Sequence, residues 1–179
     1  KLIDSAERLL RQVEGKEQIT DDPGALLLGA LAGEGVTREP AIWVEIQMTG
    51  TLRLIPDPET RTAIVSYYLD RASWSKTVEE NFIPAVRDLR SLAWDILPVE
   101  SFSNYFLSLR SGSEADSGVT GTTVMTRLSA RDDTTYLLKR FIVTGTVAHV
   151  NLKRASEKTA ALITQLSRKG HAKGSDSID

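Results

Sequence analysis

Apolar positions at Ile3, Ala6, Leu9, Leu10 and Val13 lie on one face of a helix, and Gly15 is placed to end it. The next stretch, Thr20 to Pro40, mixes Asp, Pro and Gly around one apolar run, Leu26-Leu27-Leu28, and predicts a loop with one helical turn. Three leucines in such a loop would dock on the protein's own core or on a neighbouring molecule. From Ile42 to Ile55 the pattern changes to alternation. Ile42, Val44, Ile46, Met48, Leu52 and Leu54 share one phase, and Trp43, Glu45, Gln47, Thr49, Thr51 and Arg53 the other. That spacing predicts a long half-buried strand with a bulge or bend at Gly50 and with Trp43 on its polar face. A Trp so placed fits an interface, unless helices form a second core layer over it.

Asp57-Pro58 predicts a helix start, with Asp as N-cap, Pro in the first turn and Ile64, Tyr67, Tyr68 and Ala72 inward. A second helix is expected from Thr77, with Glu80 completing a capping box, or from Pro84 if that proline marks the first turn. Its stripe is Phe82, Val86, Leu89, Ala93 and Ile96, and Pro98 stops it. Trp74, between these helices, reads as hinge packing. Strands are then expected at Phe102 to Arg110, at the Thr-rich Val119 to Ala130, and at Tyr136 to Val150, the last bent at Gly145. A mobile Ser/Gly loop over Arg110 to Gly118 and a turn at Arg131-Asp132-Asp133 separate them. A final helix, Asn151 to Lys169, places Ala155, Thr159, Leu162, Ile163 and Leu166 on one face and ends at Gly170. The sum is an α+β fold: an antiparallel or mixed β-sheet with helices packed on one side. It forms a single compact domain over 1–170, followed by a flexible tail, 171–179.

The 179 residues match about one domain and, with 41% apolar and 26% charged residues, a globular one. The absence of Cys excludes disulfides, thiolate nucleophiles and Cys-based zinc sites, and suits a reducing compartment. No apolar run reaches the roughly 20 residues that span a bilayer, and no signal peptide is legible. The chain opens on Lys1 and not on Met, so a preceding segment is expected.

Charge changes the picture more. Asn151 to Gly174 holds six basic residues, Lys153, Arg154, Lys158, Arg168, Lys169 and Lys173, against Glu157, a balance of +5. The other 16 basic and 23 acidic residues give −7. A basic end on an acidic body suits phosphate binding or head-to-tail pairing. The bland account of the same residues is a solvated helix face whose cations complement the C-terminal dipole. The lack of aromatics among them argues against base stacking on single strands.

Catalytic chemistry is hard to place. Only His149 and His171 are present, with no nucleophile-elbow pattern, and His149 reads as an ordinary strand side chain. Paired acids at Asp21-Asp22, Glu79-Glu80 and Asp132-Asp133 are sequence neighbours that suit caps and turns better than a shared substrate. There is no Walker loop or dinucleotide glycine pattern, and Gly33-Glu34-Gly35 reads as a flexible loop. No catalytic residue, metal or cofactor is assigned.

The segment Ala41 to Pro98 resembles the first half of matrix proteins from rhabdoviruses and related non-segmented negative-strand RNA viruses. The resembling features are the strand with Val44-Glu45-Ile46-Gln47-Met48-Thr49, a polar link, and paired helices over Thr60 to Ala72 and Val78 to Ile96. Phe141 to Arg168 is compatible with that group. A Lys-rich N-terminal arm and a Pro-Pro-x-Tyr motif are missing from view. The resemblance implies a non-enzymatic virion protein that assembles beneath a membrane and contacts a nucleocapsid, in the virion, host cytoplasm or inner membrane face. The expected partners are other copies of the chain, meeting through Leu26, Leu27, Leu28 and Trp43, and an anionic lipid surface, nucleocapsid or RNA, meeting Lys153, Arg154, Lys158, Arg168, Lys169 and Lys173. No small-molecule substrate is expected. The rivals are a capsid or nucleic-acid-binding protein of another virus group and a small enzyme using carboxylates.

Overall fold

The computed structural model describes residues 1–18, 21–32, 41–111 and 117–174. The described residues are helical and contain no strand, which overturns the expected sheet and with it the α+β class. The helices are α1 (Leu2–Val13), α2 (Pro23–Leu31), α3 (Ala41–Thr49), α4 (Pro58–Thr77), α5 (Ile83–Ile96), α6 (Val99–Ser111), α7 (Gly121–Ser129) and α8 (Thr134–Gly174). A 3-10 turn, Thr51–Leu54, follows α3, and a π turn, Val78–Phe82, joins α4 to α5 without a break. The hinge expected at Trp74 is therefore helix interior. Every expected strand falls on a helix: Ile42 to Ile55 on α3 and the 3-10 turn, Phe102 to Arg110 on α6, Val119 to Ala130 largely on α7, and Tyr136 to Val150 on α8. The loop over 112–116, Gly33 to Gly35, and residues 175–179 of the tail lie outside the described residues; 171–174 continue α8 past Gly170.

The threonines that suggested strands show why. In a helix a Thr hydroxyl can donate to the carbonyl one turn back, so the polar arm of this β-branched side chain has a partner inside the helix. Thr126 donates to the Thr122 carbonyl at 2.9 Å, Thr144 to Arg140 at 2.8 Å, Thr146 to Ile142 at 2.8 Å and Thr164 to Ala160 at 2.9 Å. In α3 burial follows neither phase of the alternation. Trp43 is 5% exposed while Glu45, Gln47 and Thr49 of its phase are exposed, and Val44 and Ile46 are half-buried while Met48 of their phase is 84% exposed. Gly50 ends α3 with φ of 65°, a left-handed conformation glycine adopts without a Cβ clash, and is not a strand bulge.

Helix ends are where the sequence signals hold. Asp57 caps α4 through the Thr60 N–H at 3.0 Å, with Pro58 in the first turn. Pro84, though second in α5, starts no helix because the π turn carries α4 into it, whereas Gly15, at φ of 69°, follows the end of α1. There the Gly15 N–H donates to the Gln12 carbonyl at 3.0 Å and the Lys16 N–H to Arg11 at 2.8 Å, the bonding of a Schellman end. Asp22-Pro23 carries the same start signal as Asp57-Pro58, and it opens α2 inside the expected loop.

The chain divides into two compact units, Lys1–Gly35 with Glu79–Val147, and Val36–Val78 with Ala148–Asp179. The first holds the main core. Leu9 of α1, Leu27 of α2, Leu89 and Ile96 of α5, Leu128 of α7, and Leu138 and Phe141 of α8 are all fully buried within it. Each such side chain contributes about 1.5–3 kcal/mol through removal from water. The core positions of α8 in this unit are Thr134, Leu138, Phe141 and Gly145, a helical spacing of four, three and four. Gly145 is small for a reason: a Cβ there would lie 3.1 Å from Phe82 Cε2 and 3.3 Å from Ile3 Cγ1. The stripe expected on α5 is real, since Val86, Leu89, Ala93 and Ile96 are buried.

Candidate functional site

The second unit contains α3, the 3-10 turn, α4 and α8 from Ala148 onward. Tyr67, Arg71 and Trp74 of α4 and Val78 at the start of the π turn recur at helical spacing and face α8. The distal part of α8 answers with Asn151, Ala155 and Thr159, half-buried on successive turns. Two long-range links hold the pair together. Tyr67 Oη lies 3.1 Å from Thr159 Oγ1, and Lys158 forms an ion pair with Asp70. The Lys158 ammonium also sits 5.5 Å from the ring centroid of Trp74, within cation–π range. Rising numbers in α4 meet falling numbers in α8, so the two segments run antiparallel.

Between them lies a groove of about 200 Å³. Tyr67, Arg71, Trp74, Ser75 and Val78 form one wall, and Asn151, Leu152, Ala155, Ser156 and Thr159 the other. The Tyr67 phenol is held below its ordinary pKa. The main cause is the hydrogen bond with Thr159, whose hydroxyl also donates to the Ala155 carbonyl at 2.7 Å and can turn to donate to the phenolate. Partial burial works against this, and Arg71 adds to the lowering through a hydrogen bond and its charge. Tyr68 takes another role, stacking on Trp43 with centroids 4.0 Å apart and planes 5° from parallel.

The cations expected to bind an anionic partner separate into three groups. Lys153, Arg154 and Arg168 are exposed on α8 and carry no hydrogen bond or ion pair among the described residues. Lys158 is committed to Asp70 and Trp74, 88 and 84 positions away in the chain, and is not a free cation. Lys169 and Lys173 fall within the span of α8, but their side chains lie outside the described residues. The residues expected to self-associate are internal. Leu26, Leu27 and Leu28 belong to the core of the first unit, and Trp43 is buried against Tyr68. The exposed-Trp reading of Trp43 depended on a strand that is a helix. His149 is exposed on α8, and no group of three or more His, Asp or Glu converges on a metal-sized site among the described residues.

Sequence reasoning missed the groove. Its signal was present in the spacing of Tyr67, Arg71, Trp74 and Val78, but its other wall is supplied by residues some eighty positions away. Distal α8 also exposes aliphatic side chains on the same turns as its cations: Leu152, Ile163 and Leu166 are 55%, 59% and 40% exposed. No helix among the described residues is long and apolar enough to cross a membrane. Scans against family models, curated proteins and solved structures give no match to this chain.

Proposed function

We propose that this is a non-enzymatic structural protein that rests on an anionic membrane surface through distal α8. The observation that carries the reading is the pairing of exposed Leu152, Ile163 and Leu166 with exposed Lys153, Arg154 and Arg168 on one helix. Aliphatic side chains border the inward stripe and enter the headgroup boundary, while the long cationic side chains reach lipid phosphates beside them. A purely solvated face would account for the cations but not for the exposed aliphatics among them. This keeps the membrane-facing half of a matrix-type role. The long strand at Ile42 to Ile55 on which the resemblance to viral matrix proteins drew is a helix, and the expected pair of helices is one unbroken helical run from α4 through the π turn into α5. Self-association remains part of the reading, without Leu26 to Leu28 or Trp43 as its contacts.

Co-sedimentation with phosphatidylcholine vesicles, with and without phosphatidylserine, tests it. Binding is expected only to the anionic vesicles and is expected to weaken with added salt. Each cation near such a surface contributes about 1 kcal/mol, so Lys153→Gln with Arg154→Gln should weaken binding about 30-fold. Equal binding to neutral vesicles, or none to either, ends the proposal. Binding to RNA without binding to vesicles would favour a nucleic-acid partner for the same cations.

A further inference from the structure

Helix α6, in the first unit, turns an apolar face outward. Val99, Phe106 and Leu107 are each more than half exposed, on the side opposite the buried Ser101, Tyr105 and Ser108. Trp94 of α5, about half exposed, extends the patch by stacking on Phe102, with centroids 3.9 Å apart and planes 16° from parallel. Aromatic side chains left together in water in this way are the material of protein interfaces. Two features of the face identify what covers it. The first is size. Val99, Ser103, Phe106 and Arg110 recur at spacings of four, three and four, the seam of a coiled coil, and all four are exposed. Turned end for end, this seam sets the small Ser103 of one copy against Phe106 of the other, so each ring meets a gap. The second is charge. Glu100 in the first turn and Arg110 in the last are exposed and make no ion pair among the described residues. They lie ten positions apart, about 15 Å along the helix. The same rotation brings Arg110 of one copy beside Val99 and Glu100 of the other, twice over. A face with opposite charges at its two ends complements itself about a two-fold axis, as an isologous contact requires.

We propose that two copies of this chain pair antiparallel through α6, with Phe106 nearest the axis and Leu107 and Trp94 beside it. The proposal gives a location to the self-association included in the reading above, and it rests on that part of the reading alone. It shares no residue with the stretch of α8 assigned to lipid.

The test uses the full chain in sedimentation equilibrium over a range of concentrations. The parent chain should form a dimer that dissociates on dilution. Phe106→Glu should weaken it at least about 30-fold, the effect of losing one dominant interface side chain. Glu100→Arg and Arg110→Glu, each alone, set like charges against each other at both symmetric contacts and should weaken it on the order of tenfold. Mixed in equal amounts, these two charge variants should recover the parent affinity as a heterodimer, because every contact again joins opposite charges. Mixing corrects no folding defect, so if Phe106→Glu loses helical circular dichroism the mixing experiment carries the decision. A dimer that all three variants leave unchanged overturns the α6 face, while self-association stands through another surface. A dimer weakened by the single charge variants but not recovered on mixing overturns the antiparallel pairing. A chain that stays monomeric at every concentration overturns the α6 face and self-association together, and vesicle co-sedimentation then decides the membrane contact by itself.

Discussion

Asp22 and Ser117, 95 positions apart, share one carboxylate. Asp22 Oδ1 accepts from the Gly24 N–H at 2.9 Å, which caps α2, and from the Ser117 hydroxyl at 3.1 Å; Oδ2 accepts from the Ser117 N–H at 2.9 Å. Ser117 is fully buried, so its backbone N–H has no water to replace Asp22. The same side chain therefore starts a helix and anchors the segment leading into α7.

Asp22→Ala should accordingly cost more than the loss of an ordinary cap. A cap is worth about 1 kcal/mol, and orphaning the buried Ser117 N–H adds about 1–3 kcal/mol, while the Ser117 hydroxyl keeps the Val119 carbonyl as an acceptor. Asp57→Ala, which removes the cap bonded to the Thr60 N–H and hydroxyl, should cost about 1 kcal/mol. Guanidinium unfolding of the two variants checks the order. Equal midpoints would show that the Ser117 contacts contribute nothing.

Glu14 provides a pH signature. Its carboxylate lies 2.7 Å from the ammonium groups of both Lys139 and Lys16, which hold its pKa near 2 against an ordinary 4.5, with desolvation opposing. A pKa depressed in the folded state stabilises the fold above the unfolded value and loses that contribution as pH falls through the folded one. Glu14→Gln should therefore melt below the parent protein at pH 7. The gap should close as pH drops from about 4.5 to about 2, the window between the two values. Thermal scans across this range test it, and a gap that persists at pH 2 would refute the assignment.

Phe141 and Val143 separate helix from strand directly. In the expected strand, Tyr136 to Val150, they would share a face. In α8, Phe141 is fully buried with its ring 5.6 Å from that of Phe82, and Val143 is 62% exposed. Phe141→Ala should cost about 3–5 kcal/mol and Val143→Ala less than about 0.5 kcal/mol. Comparable losses at both positions would restore the strand.

The signals that were legible are those confined to a few neighbouring residues. Asp57-Pro58 and Gly15 mark helix ends because an N-cap acts within three residues and a left-handed glycine acts on the turn before it. The stripe on α5 was legible because the polar positions between its buried residues keep a period of 3.6. The Asp22-Pro23 start was equally local, yet the glycines and prolines around it read as loop.

Strand preference was misleading because it measures how well a residue fits a pleated surface beside a partner strand, and no partner strand exists among the described residues. Val124 and Leu128, buried one turn apart in the Thr-rich α7, hold the helical spacing that the composition obscured. In α3 the buried Trp43, stacked on Tyr68 of another helix, belongs to the phase whose Glu45, Gln47 and Thr49 are exposed, so a period of two does not describe its burial.

The amino-acid order alone establishes where helices may begin and end, and it concentrates positive charge between Asn151 and Gly174. Packing settles the rest: that Leu26 to Leu28 are core, that Lys158 is taken by Asp70 while Lys153 and Arg154 are exposed, and that Arg71 and Asn151 face one groove. Those outcomes depend on contacts between residues tens of positions apart. Their energies arise only once apolar faces have left water together, and no local pattern encodes which distant face each one meets.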